Sequence, residues 1–237
     1  LMAKKNDSQS PLNPLQIILI VALIAAAGTI GHLWTKLNYM DDNPKQNVKQ
    51  AADNNPTPTK AQFPSVENLE PITQEDHIRG NRDAQIALIE YSDLECPYCG
   101  DFHKTAQELI DEYDGQVMWV YRHYPLEQLH PNATELAIGS ECAARQGGDD
   151  SFWAFIDYVF ENESTDAQEV AQALGLNTGQ FSTCLDDEAL AQKVQNQFES
   201  GSASGVTGTP GNILLNTETG DAILVPGARP LGQFKTI

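Results

Sequence analysis

From Gln85 to Tyr91 the chain reads QIALIEY, a short apolar run broken by one acid and preceded by the turn residues Gly80-Asn81-Arg82-Asp83. A run this short and this rich in isoleucine predicts a buried strand. In Gly100–Tyr113, Phe102, Ala106, Leu109, Ile110 and Tyr113 recur at helical spacing, so a helix is predicted there. Gln116–Arg122 (QVMWVYR) is a second β-rich run. From Thr134 to about Val206 the pattern is only helical: Leu136/Ala137 with Ala143/Ala144, Phe152/Phe155/Ile156/Val159, Val170/Leu174, and Leu190/Val194/Phe198. Strand character returns with Ile213–Leu215 and Ala222–Val225, on either side of the turn Thr219-Gly220-Asp221. A helical block therefore interrupts an α/β pattern, and the chain has no internal repeat.

The other strong apolar feature is Leu15–Trp34, which carries no formal charge. As a helix it would span about 30 Å, one bilayer core. Residues 15–34 are read as a transmembrane helix or signal anchor, and residues 1–14 as a cytosolic tail. The competing reading is a cleaved signal peptide, since Ala25-Ala26-Ala27 is the kind of small-residue stretch at which such peptides are cut. Apolar character that resumes at Ile30, Leu33 and Trp34 argues against cleavage. Lys4 and Lys5 precede the segment and Lys36, Lys45 and Lys49 follow it, so the basic flanks do not set its direction. Residues 35–65 are polar and proline-containing, a flexible linker with a reach on the order of 30 Å. Folded sequence is expected over 66–237.

Charge narrows the partners. Residues 61–237 hold 8 basic and 29 acidic side chains. A phosphate backbone would be repelled, so nucleic acid is excluded as a partner. At 41% hydrophobic residues the chain can build a core.

The candidate chemistry lies at Cys96-Pro97-Tyr98-Cys99, between the first strand and the first helix. Pro97 is tolerated in a first helical turn, where its missing N–H has no acceptor. A helix start presents unpaired amides and a partial positive charge, which lowers the pKa of a thiol at Cys96. Cys99, one turn deeper, is the natural resolving thiol. Asp93, Glu95 and Asp101 oppose this, each by roughly half a pKa unit at about 6 Å through water. Half a zinc site is one rival reading, with His103 as a possible extension. No second CxxC or CxxH follows, and His103 reads most simply as a solvated or half-packed helix residue. The other rival is an inert structural pair. No metal and no cofactor is expected.

The run Asp76–Asn81 (DHIRGN), the strand ending Glu90-Tyr91-Ser92-Asp93, CPYC, Tyr121–Ala133 (YRHYPLEQLHPNA), Glu141–Gly147 (ECAARQG) and Gly205–Pro210 (GVTGTP) together resemble the DsbA-type thiol–disulfide oxidoreductases of the thioredoxin superfamily. The resemblance covers about residues 66–237. It implies a thioredoxin fold with a helical domain inserted at about 130–204. It also implies that Glu90 is a buried acid beneath the dithiol, able to relay the proton of Cys99. Thr209-Pro210 matches the cis-proline loop that faces the pair, with the Thr209 backbone placed to pair with an extended substrate. Pro97 and Tyr98 would tune the reduction potential and meet substrate, and Tyr98 in place of a histidine implies a less oxidising pair than the strongest oxidases. Gly211-Asn212 depart from the family, whose members place bulkier residues there, and residues 229–237 are short for a closing helix.

Cys142 and Cys184 are read as a structural disulfide, the pairing that leaves Cys96 and Cys99 as the redox pair in an oxidising space. Two buried unpaired thiols are the alternative. The expected function is a membrane-anchored, extracytoplasmic oxidoreductase that oxidises thiols of exported proteins and is recycled by a membrane redox partner. Isomerase or reductase activity is the alternative, and a non-catalytic tethered binding or chaperone module is a further one.

Overall fold

The computed structural model describes residues 63–237. The expected tail 1–14, the span 15–34 and most of the linker lie outside the described residues. Among those described, no helix is long and apolar enough to cross a membrane.

In chain order the elements are β1 (His77–Gly80), β2 (Ile86–Ser92), α1 (Pro97–Glu112), β3 (Val117–His123), α2 (Ala133–Asn162), α3 (Ala167–Ala173), α4 (Thr178–Leu185), α5 (Glu188–Ala203), β4 (Gly211–Asn216), β5 (Ala222–Pro226) and α6 (Leu231–Phe234). The five strands form one mixed sheet in the order β1-β3-β2-β4-β5. β2 and β3 run parallel, with Glu90 beside Tyr121 and Ser92 beside His123. β1 pairs antiparallel to β3, and β4 antiparallel to both β2 and β5. The α/β pattern and the helical interruption expected from periodicity are both present.

Two apolar layers hold the sheet. Leu88, Trp119 and Tyr121 pack against α1 and the helical block through Phe102, Leu109, Leu136, Phe152 and Phe155. On the other face Ala87, Ile89, Tyr91, Met118 and Val120 meet Val206 and Ile213, with Val66, Leu69 and Ile72 packed on top. β2 is covered on both sides, which explains why its sequence is nearly continuous in apolar residues rather than alternating.

Periodicity missed two features. β1 has four residues and lies at the sheet edge, too short and too polar for a period to show. The stretch read as linker through residue 65 is ordered by its end: Leu224 N donates to Pro64 O at 2.9 Å, Val66 N to Ala222 O at 3.0 Å, and Ser65 bridges Ile223. An exposed edge of β5 supplies the hydrogen-bonding groups that hold this polar segment. Within α2 the backbone breaks at Gly147 and Gly148, where Gly148 has φ +67. A side chain there would be strained, so the glycine permits the bend between two helical arms.

Candidate active site

Cys96 is the N-cap of α1, with extended φ −77 and ψ 119, and Pro97 opens the helix. Its carbonyl accepts from the amides of Cys99 at 3.0 Å and Gly100 at 3.2 Å. Cys96 and Cys99 are unbridged and buried, Cys96 retaining 5% exposure and Cys99 none. Tyr98 projects outward, 66% exposed. The Thr209–Pro210 peptide is cis. It meets the dithiol from the far side of the cleft, the Thr209 carbonyl oxygen lying 3.7 Å from the Cys96 sulfur.

Gly211 has a packing reason. A Cβ there would come within 2.4 Å of Val206 Cγ1 and 3.1 Å of the Gly208 carbonyl, so a bulkier residue has no room. Asn212 is buried and donates to the Gly227 carbonyl at 3.0 Å, tying the start of β4 to the residue that follows β5.

The two thiols are unlike electrostatically. The Cys96 thiol is brought down to about 6, first by the Cys99 thiol, which donates to its sulfur, and then by Thr209 and the backbone amides of Cys99 and Tyr98, against the effect of burial. The helix amides were expected to lead; the neighbouring thiol contributes more, because it lies inside the same desolvated pocket. Burial pushes Cys99 well above the ordinary thiol range, assisted by its bond to Cys96 and the nearby Glu90 carboxyl.

Glu90 is fully buried, and burial raises its carboxyl to about 7 despite the Ser92 hydroxyl and the Trp119 indole. Trp119 Nε1 donates to Oε2 at 2.9 Å, while Oε1 has no partner among the described residues. An under-solvated carboxyl with a half-empty set of donors is able to gain and lose a proton near neutral pH. Tyr121, its register partner, is also raised, chiefly by burial.

The acids before the helix are not free charges. Asp93 Oδ1 accepts from Glu95 N at 2.8 Å, and Oδ2 from Leu126 N at 2.8 Å and from His130 Nδ1 at 2.8 Å. Glu95 accepts from the backbone and side-chain amides of Asn132 at 2.6 and 2.9 Å. The turn that carries Cys96 is thus stapled to the loop entering the helical block. Burial works against charge on His130, yet Asp93, Cys96 and Glu95 together raise its pKa. His103 is also a correction: instead of facing solvent it is buried, its Nε2 2.8 Å from Asp157 Oδ1 and its ring against Trp119 and Phe160. Arg79 donates to the same Asp157 at 2.8 Å.

A second polar cluster went unread in the sequence. Glu141, on α2, receives His123 Nε2 at 3.2 Å, His77 Nε2 at 3.2 Å and Lys193 Nζ at 2.7 Å. Asp149 holds the other nitrogen of His77 at 2.7 Å. Burial would raise Glu141, but the bonds from His123 and His77 hold it far below the usual carboxylate range. Burial lowers the pKa of His123 itself, against the bond to Glu141. The cluster joins β1 and β3 to α2 and α5. A charged position inside the buried stripe of a helix was the available signal, and Glu141 stands between Ala137, Ile138 and Cys142, all buried.

Cys142 and Cys184 form a disulfide that links α2 to α4, away from the dithiol in sequence and in element. Cys96, Cys99, Glu90, Thr209 and Pro210 converge at one place, the junction of β2, α1 and the loop before β4.

A family model described as Thioredoxin matches residues 72–223. Curated relatives include the Na(+)/H(+) antiporter NhaA 3 of Salinispora tropica, 35% identical over 57% of this chain, and the Na(+)/H(+) antiporter NhaA of Herminiimonas arsenicoxydans, 37% identical over 57%. The chain spans only 21% of the length of each. Among solved structures, Pseudomonas aeruginosa DsbA2 superposes with a TM-score of 0.61 at 24% identity, covering 70% of this chain and 94% of that one. BdbD from Bacillus subtilis (oxidised) gives 0.58 at 18% identity, over 73% and 95%. The fold is thus DsbA-like.

Proposed function

This chain belongs to the thioredoxin family, and on that footing we propose that it is a membrane-anchored, extracytoplasmic thiol–disulfide oxidoreductase that oxidises thiols of exported proteins through Cys96 and Cys99. The observation that carries the reading is the contrast between two sulfurs: Cys96 held as a thiolate near neutral pH, Cys99 kept protonated one turn deeper. In the oxidised protein a substrate thiolate attacks Cys96, forming the mixed disulfide, and Cys99 leaves with the electron pair and takes a proton from Glu90. A second substrate thiolate then attacks the substrate sulfur of the mixed disulfide. Substrate leaves oxidised, Cys96 leaves as the thiolate, and the pair has gained two electrons. An external disulfide, that of a membrane redox partner, takes the electrons and restores the bridge.

Direction follows from which form is stabilised. A thiolate at about 6 favours the reduced pair at neutral pH, and a pair stable when reduced is a better oxidant. The Thr209 backbone, whose carbonyl lies 3.7 Å from the Cys96 sulfur, would hold an extended substrate as an added strand. Pro97 and the exposed Tyr98 would line the approach. The Cys142–Cys184 bridge fits an oxidising compartment.

Oxidative refolding of a reduced multi-disulfide protein, run beside insulin reduction, tests the direction. Refolding is expected; insulin reduction without refolding would replace the oxidase by a reductase. Cys96→Ser is expected to lose all exchange, and unchanged activity would leave a binding module. For the anchor, protease added to intact spheroplasts should digest residues 66–237, and protection would place that domain inside.

A further inference from the structure

The expected obstacle to a reactive Cys96 was its acidic neighbourhood, and Asp93 is the fully buried part of it. Its main-chain oxygen accepts from Cys96 N at 3.1 Å, and its side chain is buried. A buried negative charge on the same turn would hold the Cys96 proton on. One basic side chain stands against it: His130, carried by the loop that enters the helical block, has Nδ1 2.8 Å from Asp93 Oδ2 and keeps 19% of its side chain exposed, and Asp93 and Cys96 raise its pKa against the effect of burial.

We propose that His130 is a positioning residue that offsets the charge of Asp93, so that the Cys96 thiolate forms without opposition from its own turn. This deepens the oxidoreductase reading and rests on it for its biological meaning, but not for its test. The ionisable groups around Cys96 and His130 are Asp93 and Glu95 on the turn, Cys99 on α1, Glu90 on β2 and Tyr121 on β3, with the uncharged Thr209 from the loop opposite. Glu95 is occupied by Asn132. Among the described residues, His130 is the one basic side chain bonded to Asp93 or Glu95.

Two measurements test this. The first follows the thiolate absorbance of Cys96 against pH in the native protein and in two variants. His130→Gln keeps a donor for Asp93 but no charge, and should shift the Cys96 titration upward by about half a pH unit or more, roughly a threefold loss of thiolate on the acid side of its midpoint. His130→Lys restores a cation and should return the titration toward the native curve. A Gln variant that titrates as native overturns the proposal, and so does an equal upward shift in both variants, which would mean that only imidazole shape matters. The second needs no variant: by reciprocity, the NMR titration of His130 should move to higher pH when the Cys96–Cys99 bridge is reduced to the thiolate form. Identical curves in both redox states would also overturn it. Because neither readout uses a substrate, a protein that fails the refolding assay can still pass here, and the two readings fail separately.

Discussion

Glu90 and Glu141 are buried to nearly the same depth, and their carboxyl groups behave oppositely. Glu90, under the dithiol, has one indole donor and one oxygen without a partner, and its carboxyl is raised to about 7. Glu141, where the helical block meets the sheet, has two imidazoles and a lysine around it and is held deprotonated. Burial is common to both, so the donors decide. The clamp gives its carboxylate a full set and makes a fixed joint; the candidate active site withholds donors and leaves a proton exchangeable. One is built for permanence and the other for turnover.

The largest effect is expected at the clamp. Glu141→Gln leaves Lys193, His77 and His123 facing a neutral amide, and should cost about 3–5 kcal/mol in urea denaturation. A loss under about 1 kcal/mol would show that the cluster is not a joint. Next, Cys142→Ala/Cys184→Ala opens the covalent tie beside the clamp, and the 42-residue separation predicts a loss of about 4 kcal/mol by chain entropy. If the loss fell mainly on the helical block, hydrogen exchange would show α3 and α4 opening while β2 and β3 stayed protected.

Glu90→Gln should act in the other direction. The native carboxyl titrates at about 7 in the fold and near 4.5 when unfolded, so the reduced protein loses stability as pH rises from about 4.5 to about 7 and is level above. The variant lacks that slope and should be more stable by about 3 kcal/mol at pH 8. It should also slow the step in which Cys99 exchanges its proton, by about 100-fold, read by stopped-flow resolution of a mixed disulfide. Glu141 has the opposite sign: its contribution is present above the unfolded value and disappears as pH falls. Acid unfolding of Glu141→Gln should therefore be flatter than native, and an unchanged acid limb would undo the comparison.

The smallest effect is expected at the loop over the thiols. Gly211→Ala forces Val206 aside and should cost about 1–3 kcal/mol, recovered in part by adding Val206→Ala. Failure of the second change to restore melting temperature would locate the strain elsewhere.

Sequence alone determined the elements whose signal is local. The apolar run of β2, the period of α1 and the CPYC pair at its start could be read directly, because strand burial and helix amphipathicity repeat within a few residues. The acid at Glu90 and the proline at 210 were legible only through the family resemblance. Tertiary structure decided what depends on distant partners. It gave Asp93 a counter-charge from residue 130, filled the space above Gly211 with Val206, and made His103 an interior residue through Asp157. It also turned His77, His123, Glu141 and Lys193, scattered over more than a hundred positions, into one clamp. The charge state of a buried group is set by which dipoles the fold brings within about 3 Å of it, and no local pattern in the chain encodes that.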